Sequence, residues 1–211
     1  MNPMFYSLLA LTAVLAATAN AGGPPVLDIY GDAIFGGSYY VLPAISGPAG
    51  GGLTLVTLAD KQCPLYIGQE TSEVERGIPV KFSNWRSIVG FVPESTDLNI
   101  EMDVATICVQ PTYWSVVPSN LPIFSFYVEA GPKPKLGEDS WKSFFQIKKS
   151  GEFHNGYYIE FCPNGGGCVS VGISTDEYGV RRLTLLGSTP FPFVFMKASE
   201  TETSPKTMSI I

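Results

Sequence analysis

The chain has 211 residues, of which 45% are hydrophobic and 15% charged, and its formal net charge is −6. Despite 22 glycines and 17 prolines, the apolar share is too high for a disordered chain, and the length suits one all-β domain. The acidic balance argues against nucleic-acid binding, and the single histidine, His154, leaves few Ser-His, Cys-His or His-metal arrangements.

Residues 1–21 have the pattern of a secretory signal peptide. An apolar run extends from Phe5 to Ala17, and the Ala-Asn-Ala that follows suits signal-peptidase cleavage. The segment lacks the usual Lys or Arg near the terminus, and a buried helix is the alternative interpretation. The run is shorter than the ~20 residues that span a bilayer. We therefore expect a secreted or vacuolar protein that is cleaved near Gly22 and does not associate with membranes.

Residues 22–198 are predicted to form an all-β domain, because short apolar runs alternate with Gly, Pro, Asn and Ser and no window has sustained helical periodicity. The polar segment 199–211 has no strand pattern, so we expect it to be flexible or removed by processing. The predicted strands are Tyr39–Leu42, Leu53–Leu58, Leu65–Gly68, Val80–Ser83, Leu98–Met102, Trp114–Val117, Phe124–Val128, Phe144–Lys148, Tyr157–Phe161, Val169–Ile173, Arg182–Leu186 and Phe193–Lys197.

Two sets of short segments repeat weakly along the chain. One set combines an aromatic pair, an apolar end and a proline, and the other has strands that begin 46 and 49 residues apart. Twelve strands in three similar units favour a β-trefoil, and a generic β-sandwich is the alternative. The first set is Tyr39–Pro43, Tyr113–Pro118 and Tyr157–Pro163; the second is Leu98–Met102, Phe144–Lys148 and Phe193–Lys197.

The four cysteines fit an oxidising compartment, where an even number usually forms disulfides. Cys162 and Cys168 flank a Gly-rich turn whose ends should meet, so they are predicted to pair, which leaves Cys63 with Cys108. By loop entropy the longer bridge should be worth about 4 kcal/mol and the shorter about 2 kcal/mol. A zinc site is the alternative, but the close-spaced cysteine pairs of such sites are absent from the sequence.

A series of short motifs is spread over residues 26–197. They are Val26–Ile34 followed by Gly36-Gly37 and Tyr39–Leu42, then Gln62–Leu65, Gly77–Val80, Ser95–Ile100, Trp114–Val116, Phe161–Pro163 and Arg181–Leu183. Together these motifs resemble the plant Kunitz-type (soybean trypsin inhibitor) family. The resemblance implies a β-trefoil, the disulfide pairing given above and a plant origin. It also implies a function, since many members inhibit serine proteases through one exposed loop, whereas others are storage or taste-modifying proteins.

By position in this family, the reactive loop lies within Ser83–Phe91. The resemblance assigns Arg86 as the residue that enters the protease specificity pocket (P1) and Arg86–Ser87 as the reactive bond. Arg86 is also the only Lys or Arg between Lys81 and Lys133. The alternative is that Arg86 is a solvated surface cation beside a packing tryptophan. The other predicted loop residues are Ser83, Asn84, Trp85, Ile88 and Val89.

Two departures from the family pattern predict a less firmly braced loop. Many inhibitory members have an Asn near the N-terminal Gly-Gly whose side-chain amide supports the loop, but here that stretch is Phe35-Gly36-Gly37 and contains no Asn. Asn84 stands where a proline is common, which removes one backbone constraint. We therefore expect weaker inhibition or faster cleavage than in members that keep both features.

The sequence thus predicts a monomeric inhibitor of a trypsin-like serine protease that has no catalytic group, metal or cofactor of its own. Arginine suits this task because it can fill a deep pocket and pair in bidentate fashion with a carboxylate at its base. The alternative function is a non-inhibitory trefoil, such as a seed storage or ligand-binding protein, or an inhibitor of another enzyme class such as amylase.

Overall fold

The computed structural model describes residues 23–45, 47, 49–58, 61–83, 90–108, 111–119, 125–135, 140–163, 167–185 and 189–199. The predicted signal peptide, and all but the first residue of the predicted tail, lie outside these described residues. Within them, no helix is long and apolar enough to cross a membrane.

The described residues form thirteen β-strands and one short 3-10 helix. Buried and exposed side chains alternate along several strands, as in β8, where Phe145 and Ile147 are fully buried and Lys148 is exposed. The strands are β1 Tyr39–Pro43, β2 Leu53–Leu58, β3 Lys61–Gln69, β4 Val80–Ser83, β5 Asn99–Met102, β6 Tyr113–Pro118, β7 Phe126–Gly131, β8 Phe145–Lys149, β9 Tyr157–Phe161, β10 Val169–Ser170, β11 Gly172–Thr175, β12 Arg181–Leu185 and β13 Phe193–Lys197; the helix is Ser140–Ser143.

The sequence predicts twelve strands and the described residues form thirteen in the predicted order, with differences that have local causes. The predicted strand ends Phe124 and Leu186 lie outside the described residues. The predicted strand Val169–Ile173 is two strands, because β10 pairs with β9 whereas β11 pairs with β12. Between them, Val171 donates its amide to Ile159 and accepts from the Phe191 amide. β3 begins four residues before the predicted Leu65–Gly68, since its first part continues the β2–β3 hairpin beyond a register shift. The 3-10 helix was not predicted.

Six of the strands close into a barrel. β1 pairs with β4, β4 with β5, β8 with β9, β9 with β13, and β13 with β1. A bridge between Leu98 and Phe145 joins the start of β5 to β8 and completes the ring. The closed barrel leaves no unpaired edge among these strands.

The other strands form three hairpins that pair with one another in a triangle. The hairpins are β2–β3, β6–β7 and β11–β12. Strand β3 pairs with β7, β7 with β12, and β12 with β3. A six-stranded barrel joined to three mutually paired hairpins is a β-trefoil. The predicted fold class is confirmed and the β-sandwich alternative is wrong.

The three structural units begin with β1, β5 and β9, at residues 39, 99 and 157. Their last strands are β4, β8 and β13. The members of each sequence repeat therefore do not all occupy equivalent positions in the three units. Tyr113 begins a hairpin strand, unlike Tyr39 and Tyr157, and Leu98 precedes a first strand, whereas the other two members of its set belong to last strands. The fold inferred from the repeats is right, but their alignment is wrong.

Aromatic side chains fill much of the core. Trp114 is fully buried and meets Phe145 edge-on, with ring centroids 5.6 Å apart. Phe195 contacts Phe82 and Tyr157 at 5.6 and 5.8 Å. Such contacts add about 0.5–1.5 kcal/mol each to the free energy from area burial alone. They make the barrel a rigid base for its connections.

Both disulfides have the predicted pairing. Cys63 in β3 is bonded to Cys108 in the β5–β6 connection, and Cys162 to Cys168 across the β9–β10 connection. The first bridge ties the first unit to the second, and the second closes a short turn within the third.

Candidate functional site

The predicted reactive loop lies in the connection between β4 and β5. β4 ends at Ser83, β5 begins at Asn99, and these two residues are direct partners in the sheet. The β4–β5 connection therefore starts and ends at one place on the barrel. The Asn99 side-chain amide donates a buried 2.6 Å hydrogen bond to the Ser143 carbonyl, which fixes the point of return.

Of the predicted loop residues, the structure describes Ser83, the half-buried end of β4. The predicted site residues Asn84, Trp85, Arg86, Ser87, Ile88 and Val89 lie outside the described residues. The description resumes with residues 90–98, which we call the C-terminal flank. The structure therefore shows how the two ends of the loop are held.

Residues 23–35, which we call the N-terminal arm, run beside the C-terminal flank. The arm folds back on itself, since the Ile34 amide donates a 2.8 Å hydrogen bond to the Val26 carbonyl. Val92 of the flank bonds to both sides of the arm: its carbonyl accepts from Val26 at 2.9 Å, and its amide donates to Ile34 at 2.8 Å. Val92 is also fully buried. Arm and flank thus form one small ladder.

A second contact between arm and flank lies two residues further along. The Glu94 amide donates to the Pro24 carbonyl at 2.8 Å. A Cβ on Gly23 would lie 2.6 Å from the Glu94 carbonyl oxygen, so this close approach requires glycine. Burial raises the pKa of the Glu94 carboxyl, against the opposing charge of Lys149.

The flank is also bound to the barrel on its other side. The Ser95 amide donates to the Ile147 carbonyl at 2.9 Å, and Leu98 and Phe145 exchange two backbone hydrogen bonds. The C-terminal flank therefore lies between the N-terminal arm and β8, with backbone hydrogen bonds to both.

A charged cluster lies beside β4. The Lys81 ammonium is 2.5 Å from the Asp103 carboxylate, which also accepts a hydrogen bond from the Ser38 hydroxyl. Burial alone would raise the pKa of Asp103, but the hydrogen bonds from Lys81 and Ser38 outweigh it and lower the pKa. Lys81 is the cation that comes before Arg86 in the sequence, and it is ion-paired with Asp103 near the point where the β4–β5 connection begins.

Comparison with known proteins identifies the family. The legume Kunitz family profile, described as "Trypsin and protease inhibitor", matches residues 26–197. The chain belongs to this family. The family profile and a relative matched over most of its chain are described as inhibitors and not as enzymes, which agrees with the sequence prediction.

Individual Kunitz proteins are similar over most of their length. Kunitz trypsin inhibitor 4 of Arabidopsis thaliana is 55% identical over 99% of this chain and 97% of its own. A Kunitz-type trypsin inhibitor from Cicer arietinum has a TM-score of 0.72 at 35% identity, covering 83% of this chain and 99% of its own. Soybean trypsin inhibitor, solved in complex with porcine pancreatic trypsin, has a TM-score of 0.70 at 33% identity, covering 83% and 100%.

The N-terminal arm is itself fastened to the barrel by residues of the β8–β9 connection, β9 and β13. The Tyr157 hydroxyl accepts a 2.9 Å hydrogen bond from the Leu27 amide, and the buried Asn155 side chain donates at 3.0 Å to the Asp28 carbonyl. The Ile29 amide donates to the backbone of β13 at 2.9 Å. The arm therefore lies between the C-terminal flank on one side and β9, β13 and the turn before β9 on the other.

Sequence reasoning did not assign Asn155 or Tyr157 to the site. The Asn155-Gly156 pair signalled only a turn, and Asn155 does have a left-handed φ of 50°. Its partner lies 127 residues away in sequence, and that of the Tyr157 hydroxyl lies 130 residues away. No local pattern could have revealed either contact.

The arm also contains the position where this Kunitz chain lacks the bracing Asn. Phe35 is 53% exposed, and its amide donates to the Tyr39 hydroxyl at 3.3 Å. Gly37 has a φ of 106°, a left-handed conformation that favours glycine. On the side of the arm, the backbone ladder is therefore the support that the described residues provide for the C-terminal flank.

Among the described residues, one group of potential metal ligands lies close together. The ligand atoms of Glu160, Cys162 and Cys168 are within 4.8 Å of one another. The two sulfurs are bonded to each other, so a single carboxylate is left. This group is a disulfide with a nearby acid and does not have the donor set of a metal site.

Proposed function

We propose that this Kunitz protein inhibits trypsin-like serine proteases by presenting Arg86 to the protease specificity pocket, with Arg86–Ser87 as the reactive bond. The mature protein is secreted after removal of residues 1–21 and acts as a monomer through the β4–β5 connection. Residues Ser83, Asn84, Trp85, Ile88 and Val89 form the rest of the loop that contacts the protease.

The observation that carries the proposal is the anchoring of this connection in a chain of the Kunitz family. Its ends are adjacent at Ser83 and Asn99, and its C-terminal flank is bonded on two sides. Soybean trypsin inhibitor, a structural neighbour of this chain, forms a complex with trypsin. Arg86 is the only Lys or Arg between residues 81 and 133, and Lys81 is engaged by Asp103.

The proposed mechanism is slow, reversible cleavage. The protease serine oxygen attacks the Arg86 carbonyl carbon, the bond to the Ser87 nitrogen breaks, and that nitrogen takes the proton delivered by the protease histidine. If the loop is held, the new Ser87 amine stays beside the acyl-enzyme and reforms the peptide bond before water attacks. Because the barrel and the N-terminal arm hold the two ends of the loop before binding, we expect association to lose little conformational entropy. The inhibitor itself supplies a held peptide bond and the Arg86 guanidinium that binds in the specificity pocket, and the protease supplies the catalytic groups.

The test compares the mature protein with its Arg86→Ala variant in a trypsin inhibition assay. We expect Arg86→Ala to weaken inhibition by about 4 kcal/mol, roughly a thousandfold, because the side chain is the buried anchor of the interface. Arg86→Lys should keep most of the inhibition, since Lys also fits an acidic pocket. Arg76→Ala, in the exposed β3–β4 connection, is the matched control and should behave like the wild type.

Parallel assays with chymotrypsin and α-amylase separate the alternatives. A wild-type protein that inhibits trypsin but not amylase supports the proposal. Inhibition of amylase alone, or inhibition of no enzyme, would favour the alternative functions. Equal trypsin inhibition by Arg86→Ala and the wild type would show that Arg86 is not the anchor.

A further inference from the structure

We propose that the N-terminal arm is a brace for the reactive loop, and that Tyr157 and Asn155 are the positioning residues that hold this brace to the barrel. The inference rests on the proposed function, because it concerns the loop that contains Arg86. It assigns to two residues near the start of β9 a role in inhibition by the β4–β5 connection.

The first step is the contact between arm and flank. Val92 lies five residues after Ser87 in the sequence, and both of its backbone groups bond to the arm, at 2.9 and 2.8 Å. Glu94 adds a third backbone bond, to Pro24. An arm that moves away from the barrel would therefore release the flank that leads directly back to the reactive bond.

The second step is the attachment of the arm. Asp28 organises its turn by accepting hydrogen bonds from the Tyr30 and Asp32 amides, but these bonds lie within the arm. Side chains from elsewhere that bond to the arm include those of Tyr157 and Asn155, at 2.9 and 3.0 Å. The Tyr39 hydroxyl accepts a longer bond, at 3.3 Å, from the last residue of the arm, Phe35. Both side chains are buried. Removing the Tyr157 hydroxyl takes away the hydrogen bond of the Leu27 amide, and removing the Asn155 amide leaves the Asp28 carbonyl with only the Gly31 amide of the arm itself.

The consequence is a change in the outcome of cleavage rather than in recognition. Religation requires the Ser87 amine to remain within reach of the acyl-enzyme, and the C-terminal flank is the part of the chain that holds it there. Weakening the brace should leave the Arg86 anchor intact while raising the fraction of cleavage events that end in hydrolysis. The protein would then change from an inhibitor towards a substrate.

The test uses Tyr157→Phe and Asn155→Gly in the full mature protein. Tyr157→Phe removes only the hydroxyl, and Asn155→Gly removes the amide while keeping a residue that adopts the left-handed backbone. Losing one buried hydrogen bond is expected to raise the rate of Arg86–Ser87 hydrolysis by trypsin about tenfold. Mass spectrometry of the cleaved fraction over time measures this rate.

A second measurement addresses the brace directly. The Val92 amide donates to the arm, so its hydrogen exchange should become about tenfold faster in both variants. The matched control is Tyr158→Phe, which removes a neighbouring tyrosine hydroxyl that interacts with Glu152 and not with the arm. Urea denaturation of each protein separates this local effect from a general loss of stability.

Faster hydrolysis and faster Val92 exchange in both variants, with neither in Tyr158→Phe, support the brace. Trypsin inhibition by the wild type with unchanged hydrolysis in the two variants would overturn the brace and leave the proposed function standing. A wild type that does not inhibit trypsin would overturn the proposed function instead. In that case, hydrogen exchange of the Val92 amide in the two variants would still test whether Tyr157 and Asn155 hold the flank. An unchanged exchange rate would overturn the proposed brace as well.

Discussion

Asp176→Asn is expected to destabilise the fold by leaving a buried guanidinium without its counter-ion. The Arg182 side chain is only 4% exposed and is ion-paired with Asp176, which is 26% exposed. Arg182 also donates to the Thr57 carbonyl at 2.7 Å, and its Nε has no hydrogen-bond partner among the described residues. Breaking a buried pair costs about 3–5 kcal/mol, and the partial exposure of Asp176 places the expected loss near 3 kcal/mol.

Asparagine isolates the effect of charge because it preserves the turn. The Asp176 Oδ1 accepts hydrogen bonds from the Tyr178 and Val180 amides, both at 2.9 Å, and an amide oxygen can keep both. Desolvation raises the pKa of Asp176, but hydrogen bonds from Arg182 and these two amides outweigh it and lower the pKa. The stability gained from ionised Asp176 is therefore present at neutral pH and is lost as the pH falls through this lowered pKa.

The assay is urea denaturation of the wild type, Asp176→Asn, Arg182→Met and the double variant at pH 7. We expect the double variant to be at least as stable as Asp176→Asn alone, because the uncompensated buried charge is gone. Trypsin inhibition should not change, since the pair lies in the third hairpin, away from the β4–β5 connection. A loss below about 1 kcal/mol for Asp176→Asn, or strictly additive effects, would refute the argument.

Two further variants probe other parts of the fold. Gly52→Ala should lower the free energy of unfolding, measured by urea denaturation, by about 3 kcal/mol or more, because the new Cβ would lie 1.9 Å from the Arg76 carbonyl oxygen. Gly167→Ala is the neutral control, since its Cβ would meet nothing within 4 Å. Equal stability of the two variants would contradict the packing argument. Asp103→Asn should be less stable than the wild type at pH 7, where ionised Asp103 pairs with Lys81. Because the folded-state pKa of Asp103 is lowered, the difference in stability should vanish as the pH falls through that pKa, and a difference that persists once Asp103 is protonated would contradict this assignment.

The sequence predicted the fold well because its signals are local. Apolar runs bounded by turn residues located the strands, and the short Gly-rich loop between Cys162 and Cys168 indicated both disulfides by elimination. The change of strand partner at Val171 was not predictable, because a continuous apolar run looks the same whether it has one partner or two.

The site was predictable in part. Family motifs and the isolated cation pointed to Arg86, and the structure shows the anchored ends of its connection. The support of the C-terminal flank could not be predicted, because Val92, Leu27 and Asp28 act through backbone groups that every residue has. The side chains that complete this support, Asn155 and Tyr157, become neighbours of the arm only when the barrel closes.

The central claim is tested most directly by identifying the bond that trypsin cleaves. Prolonged incubation of the mature protein with a trace of trypsin, followed by N-terminal sequencing of the products, gives the answer. The account predicts one dominant new N-terminus at Ser87, an incomplete reaction, and continued inhibition by the cleaved protein while its disulfides hold the chain together. A dominant cut at another position, or complete digestion without inhibition, would contradict it.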